Sequence, residues 1–346
     1  MLRFFFDKPF IDGLNFSAFS EKPYLQDFFE TFIRKFKGQV QVIIEGDFND
    51  EMTKKSIKDS PILEALISFN PSNTLFEPNF ERLFTELPKG YFGSILFSGR
   101  SEAYFVERDY GIPYFSLNNL KELWPIYKPD VGQDLLIRSN IPNDCTGYFT
   151  GWPFFNKFRK KVFKMILVDK YIINNKDRQR ISYNLKPLIE NLTNTSKTIS
   201  QKVIIIALHL PKNFRRNDES NWFEDQFSAL IEEFKIPDRN LAYNFIRYDK
   251  GKNYRNDSIH NRFILTNLLF IETRAGFNIY DEKGGINSAD ILTVKSIFKT
   301  SNYRLFVDHY NQCLNYFTGL KYSDIAVLPG GKKVPCINYY PENLVI

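Results

Sequence analysis

Cysteine is scarce: Cys145, Cys313 and Cys336 are the only three, far apart and odd in number. With no CxxC and no Cys/His cluster they support neither a disulfide framework nor a zinc site, so a reduced, cytoplasmic setting with no metal and no cofactor is expected. Histidine is equally rare, with three in the chain, at positions 209, 260 and 309. No block of five or more like charges exists to form a basic arm or an acidic tail. No apolar stretch approaches the roughly 18 residues of a membrane span, and the run Leu2–Phe6 is too short for a signal peptide. No GxGxxG is present, and Gly330-Gly331-Lys332-Lys333 lacks the spacing of a phosphate-binding loop and reads as a turn.

What is abundant is aromatic carbon. The 346 residues include 35 Phe and 19 Tyr, and 43% are hydrophobic against 25% charged. That balance belongs to a globular chain, and most of the Phe should fill cores. The length suits two domains. The net charge of +6 permits an anionic partner without demanding one.

Periodicity predicts an α/β chain made of two α/β layer domains. Leu2–Phe6 reads as a buried strand ending at Asp7. Tyr24, Leu25, Phe28, Phe29, Phe32, Ile33 and Phe36 mark one face of a helix over 21–37, stopped by Gly38. Strands follow over 39–45, 94–97 and 112–115, with short helices over 61–69 and 77–87 and another over 101–110 closed by Gly111. This alternation defines a first domain, 1–124, with a mostly parallel sheet and a scaffold or partner-binding role. Prolines 125, 129, 142 and 153 break the pattern, so 125–157 reads as a linker or interdomain wrap. The second domain, 158–346, carries strands over 164–169, 203–208, 243–248, 262–266, 268–271 and 276–280. Its helices are predicted over 184–192 and 224–234, with a late one through Val307, Tyr310, Leu314 and Phe317, and its tail shows no element.

The chemistry gathers at His260-Asn261-Arg262, where a polar loop enters a strand. Alternate strand residues share a face, so His260 and Arg262 stand on one side of the pleat. The guanidinium offers a phosphate a two-pronged donor, and the imidazole can attack phosphorus or protonate a leaving oxygen. Lys212, Arg215 and Arg216 follow the strand over 203–208, and Arg247, Lys250, Lys252 and Arg255 precede His260. In a parallel sheet these loops frame one rim, a candidate nucleic-acid groove, with Tyr248 and Tyr254 placed to stack on bases. His209 at a strand end and His309 on the late helix read as structural.

From Lys164 to Tyr280 the element order and the motif resemble one lobe of the phospholipase D-like superfamily. That family's signature is His-x-Lys-x4-Asp followed by a glycine; here His260 and Arg262 stand in it, Asn267 takes the place of the acid, and Gly276-Phe277-Asn278 comes two residues late. The resemblance implies catalytic roles for His260, Arg262 and Asn267 in a metal-independent nuclease. Because the mechanism needs two histidines and the chain holds one motif, it also implies a homodimer. Such lobes recur in bacterial defence proteins. The alternative is a non-catalytic adaptor whose C-terminal lobe binds nucleic acid or a protein partner; no membrane partner is expected, for want of an amphipathic segment.

In the first domain Asp7, Glu45 and Asp47 end strands, and Ser98-Gly99-Arg100 follows a third. This resembles a PIN-like nuclease, whose strand-end acids gather Mg²⁺. Arg100 stands near the position of the third acid, and its charge would repel a metal.

Overall fold

A computed structural model of the chain describes all residues except 1, 15, 36–39, 48, 61–63, 66, 69–70, 81, 83–92, 129–132, 137–146, 170–171, 173–177, 200, 209–235, 237–238, 249–261, 275, 287–290, 319–324, 328–332 and 336–346. It falls into two compact units, the first built from Met1–Val131 and Ser296–Tyr303, the second from Gly132–Lys295 and Arg304–Leu344. Both are α/β.

The first unit holds strands β1 (Leu2–Phe6), β2 (Val40–Glu45), β3 (Thr74–Glu77), β4 (Ser94–Phe97) and β5 (Tyr114–Phe115) in the order 3-2-1-4-5. Every pairing is parallel. Its helices are α1 (Lys8–Asp12), α2 (Phe16–Glu21), α3 (Pro23–Lys35), α4 (Glu51–Asp59), α5 (Ala103–Tyr110) and α6 (Leu117–Tyr127). A parallel sheet is covered on both faces, so β1 has no need to alternate with polar residues. Phe5 turns to one face and packs with Ile43, Leu96, Phe80 and Ala103. Phe4 and Phe6 turn to the other, against Phe97, which in turn meets Phe28 of α3 and Phe115 of β5. Trp124 of α6 stands edge-on to Phe28 and donates its ring N–H to Asp27 at 2.7 Å. The Phe-rich composition is therefore largely core in this unit.

Helix α6 begins with a capping box in which Ser116 and Asn119 satisfy each other's backbone N–H. Pro125 lies inside its last turn, where a missing N–H removes only one bond, and the buried Trp124 and Tyr127 hold the turn in place. The irregular stretch thus starts later than the prolines suggest.

The second unit is organised on a ten-stranded sheet in the order 15-14-10-9-8-11-12-13-6-7. Its strands are β6 (Gln133–Leu136), β7 (Gly147–Tyr148), β8 (Lys164–Val168), β9 (Gln201–Leu208), β10 (Leu241–Tyr248), β11 (Arg262–Thr266), β12 (Leu269–Thr273), β13 (Ile291–Ser296), β14 (Ile325–Val327) and β15 (Lys333–Pro335). Its α-helices are α7 (Arg178–Tyr183), α8 (Leu185–Leu192) and α9 (Thr300–Thr318), with short 3-10 helices at Trp152–Lys157 and Arg159–Lys161. Strands β8, β9 and β10 run parallel, while β11 is antiparallel to both β8 and β12.

Three expectations meet a different structure. The stretch 125–157 supplies β6 and β7 to a sheet edge, and its Trp152 anchors on Tyr183 through a 2.7 Å hydrogen bond from the indole N–H. The tail contributes β14 and β15, triplets too short to show a period and recruited by pairing beside β10. Residues 276–280 make an isolated bridge, Tyr280 to Ile286, rather than a strand. The helix expected over 224–234 lies outside the described residues, as does most of those over 61–69 and 77–87. Among the described residues no helix is long and apolar enough to cross a membrane.

Candidate functional site

Because β8, β9 and β10 are parallel, their C-terminal ends share one edge of the second sheet. β11 runs the other way, so its first residue, Arg262, starts beside the last residues of β8, with Phe263 opposite Val168. Asp169 follows β8 at that point and is buried. Its Oδ2 accepts the Phe277 N–H at 2.8 Å, and its Oδ1 lies 3.9 Å from Arg262 Nε. Arg262 also donates from Nη1 to the Arg274 carbonyl, and 22% of its side chain remains exposed. Gly276 closes the group with φ at +101°, and a Cβ there would come 2.8 Å from Asp169 Oδ2 and 3.0 Å from Arg262 Cδ. Only glycine admits both the backbone angle and the close approach. The arrangement is a guanidinium fixed from behind by a buried carboxylate and a carbonyl, with part of its surface left to solvent. That suits a phosphate, which a planar fork binds without reorganising.

Of the remaining residues expected here, Arg247 and Tyr248 end β10 at the same edge, their backbones opposite Ala207 and Leu208 of β9. The chain leaves β9 at Leu208, ahead of Lys212, Arg215 and Arg216. It leaves β10 at Tyr248, ahead of Lys250, Lys252, Arg255 and His260, and next enters a described element at Arg262. His209, Lys212, Arg215, Arg216, Lys250, Lys252, Tyr254, Arg255, His260 and Asn261 themselves lie outside the described residues.

Asn267 is not brought to this group. It follows the far end of β11, about 16 Å from Arg262 at the rise of an extended strand. Its Oδ1 accepts the N–H groups of both Phe163 and Lys164 at 2.8 Å, pinning the entry to β8. An acid at 267 could accept the same two bonds, so the departure from the family signature falls on a structural position. Asp169, which as the group that ends an apolar strand reads as a cap or an orienting group, is the carboxylate that orients Arg262. The signal for it was its place one residue past an unbroken apolar strand. His309 sits against the rings of Phe263 and Phe270, centroids 4.7 and 4.8 Å away, with Nδ1 2.8 Å from the Leu305 carbonyl. It belongs to the core.

The first unit has its own polar rim, at the C-terminal ends of β1, β2 and β4. Asp7 is buried and held by three hydrogen bonds, accepting from Phe10 N at 2.8 Å, from Gly99 N at 3.0 Å and from the Ser98 hydroxyl. Arg100 Nη2 donates to both oxygens of Glu45, at 2.7 and 2.9 Å, and its Nε lies 3.9 Å from Asp7 Oδ2. Asp47 accepts from the Asn49 N–H instead of joining them. The guanidinium thus holds the place between two acids where the PIN-like resemblance would put a cation, and these residues do not fit a Mg²⁺ ion. Among the described residues no three His, Cys, Asp or Glu side chains gather to hold a metal.

No protein-family model matches the chain, and no curated protein matches it.

At the opposite edge of the second sheet, Lys164 and Lys202 are register partners on β8 and β9. Burial is the main cause that pushes the Lys164 amine well below its ordinary range, with repulsion from Lys202 adding to it, and burial brings Lys202 down to about 8. Nothing in the apolar periodicity announced this pair.

Proposed function

We propose that the second unit is a phospholipase D-like lobe that binds nucleic-acid phosphodiesters at the edge where β8, β9 and β10 end and β11 begins. The observation that carries this reading is the Asp169–Arg262–Gly276 group, a fixed and partly exposed guanidinium at the strand edge from which the basic segments depart. Arg262 holds the non-bridging oxygens. His260, two residues earlier, is the candidate nucleophile. In a homodimer one His260 imidazole attacks phosphorus, the bond to the leaving oxygen breaks, and the second copy's His260 protonates that oxygen. Water then gives its proton to the second His260 and attacks phosphorus, breaking the P–N bond, which releases the phosphomonoester and regenerates the free imidazole. No metal takes part, and a role in bacterial defence follows from the resemblance alone.

The test is incubation of wild type and His260→Ala with single- and double-stranded DNA and RNA in EDTA. Cleavage by wild type alone supports the histidine mechanism. Cleavage that requires Mg²⁺ and survives His260→Ala contradicts it. Salt-sensitive binding without cleavage supports the second reading, a non-catalytic adaptor, which the presence of a single motif in the chain favours.

A further inference from the structure

The order in which strands are added to the first sheet reverses between β1 and β4: the chain builds outward to β2 and β3 on one side and to β4 and β5 on the other. In open parallel sheets the crevice above such a switch point is where ligands settle. Here Asp7 ends β1 and Ser98 ends β4, and a cavity of about 470 Å³ lies over them. That size suits a small organic ligand. One face of α5 lines it through Ala103, Val106 and Tyr110, and Leu96 and Phe80 complete an apolar wall with Phe105. Phe105 is 49% exposed, with the Arg108 guanidinium 4.6 Å from its ring centroid.

The polar lining is selective about charge. Asp7 already accepts three hydrogen bonds, and Arg100 is matched by Glu45. Asp109 is paired with Arg108 at 2.6 Å. Two polar groups are left open among the described residues. Arg100 Nη1 makes no hydrogen bond while Nη2 is held by Glu45, and the Glu102 carboxylate does not cap its own helix. One offers donors and the other acceptors, two residues apart on the loop from β4 to α5. The carboxylates of Asp7, Glu45, Glu102 and Asp109 outnumber the cations Arg100 and Arg108, so a phosphate inside the cavity is repelled.

We propose that this cavity binds an unstacked purine base, guanine best, as a base or nucleoside rather than through a phosphate. Guanine carries acceptors at O6 and N7 for an arginine and N–H donors at N1 and N2 for a carboxylate. Its flat ring lies against Phe105 and the apolar wall. The site is separate from the phosphodiester edge of the second unit and does not depend on that reading.

Calorimetric titration of the full chain with guanosine, adenosine, cytidine, uridine, GMP and phenethylamine tests it. Guanosine should bind most tightly, and GMP more weakly, with the difference shrinking as salt rises. Phe105→Ala and Glu102→Gln, both at exposed positions, should each weaken guanosine roughly ten-fold with unchanged circular dichroism. Saturable binding of phenethylamine alone, no nucleoside binding at millimolar concentration, GMP binding as tightly as guanosine, or indifference to both substitutions would each overturn the proposal.

Discussion

Gly276 and Asn267 show what single residues settle in the second unit. Gly276 stands at a positive φ against Asp169 and Arg262, so Gly276→Ala combines a strained backbone with a clash at the oxygen that holds Phe277. A loss of about 2 to 4 kcal/mol is expected, read by denaturant unfolding, together with weaker phosphate binding. Asn267→Ala strands two buried N–H groups and should cost about 2 to 3 kcal/mol. Asn267→Asp keeps an acceptor for both and should cost less than the alanine change, without raising activity, because the position is remote from Arg262. Equal losses for the two substitutions, or a gain in cleavage with Asp, would contradict the structural role. The motif His260-Asn261-Arg262 was legible in the sequence, and so was a glycine after it. That Asp169 orients Arg262 in particular was not legible, because it lies more than ninety residues earlier and only the antiparallel pairing of β8 with β11 brings them together.

At the scale of elements, apolar runs were readable wherever packing covers both sheet faces. β1, β8 and β9 are such runs, and their bounds follow the sequence closely. What periodicity could not show is recruitment by pairing: β6, β7, β14 and β15 are short and gain their order from neighbours. The β8–β9 pair also buries two amines side by side, which makes a pH prediction. Lys202 is brought from 10.5 to about 8, so below that value the amine is charged in both folded and unfolded chains and its burial destabilises the fold in full. As pH rises from about 8 to about 10.5 the folded amine is neutral while the unfolded one still holds its proton, and stability rises. Lys202→Met should therefore stabilise the protein by about 2 to 3 kcal/mol near neutral pH, with the gain fading toward pH 10.5. Thermal melts of both proteins across pH 6 to 11 check it; a gain independent of pH would show that the amine is not the cause.

For the whole molecule, two α/β units were legible from the alternation of elements, and the parallel character of the first sheet from strands separated by helices. The division after Val131 falls inside the proline-bearing stretch 125–157, but the first unit also takes back Ser296–Tyr303, whose Phe298 packs on Phe4 and Trp124. A return of the chain over so long a separation leaves no local mark. Catalysis by the single motif predicts that the active species is a dimer, so sedimentation at micromolar concentration should give twice the mass of one 40.8 kDa chain. A strict monomer would leave only the binding role.

The most direct measurement is the salt dependence of nucleic-acid binding by wild type, Arg262→Lys and the triple change Lys212→Ala, Arg215→Ala, Arg216→Ala. If the edge of the second sheet binds phosphodiesters, wild-type affinity falls steeply with salt. The triple variant should bind more weakly with a shallower slope, and Arg262→Lys should lose affinity while keeping its fold. Binding that is unchanged in both variants, or insensitive to salt, would contradict the account.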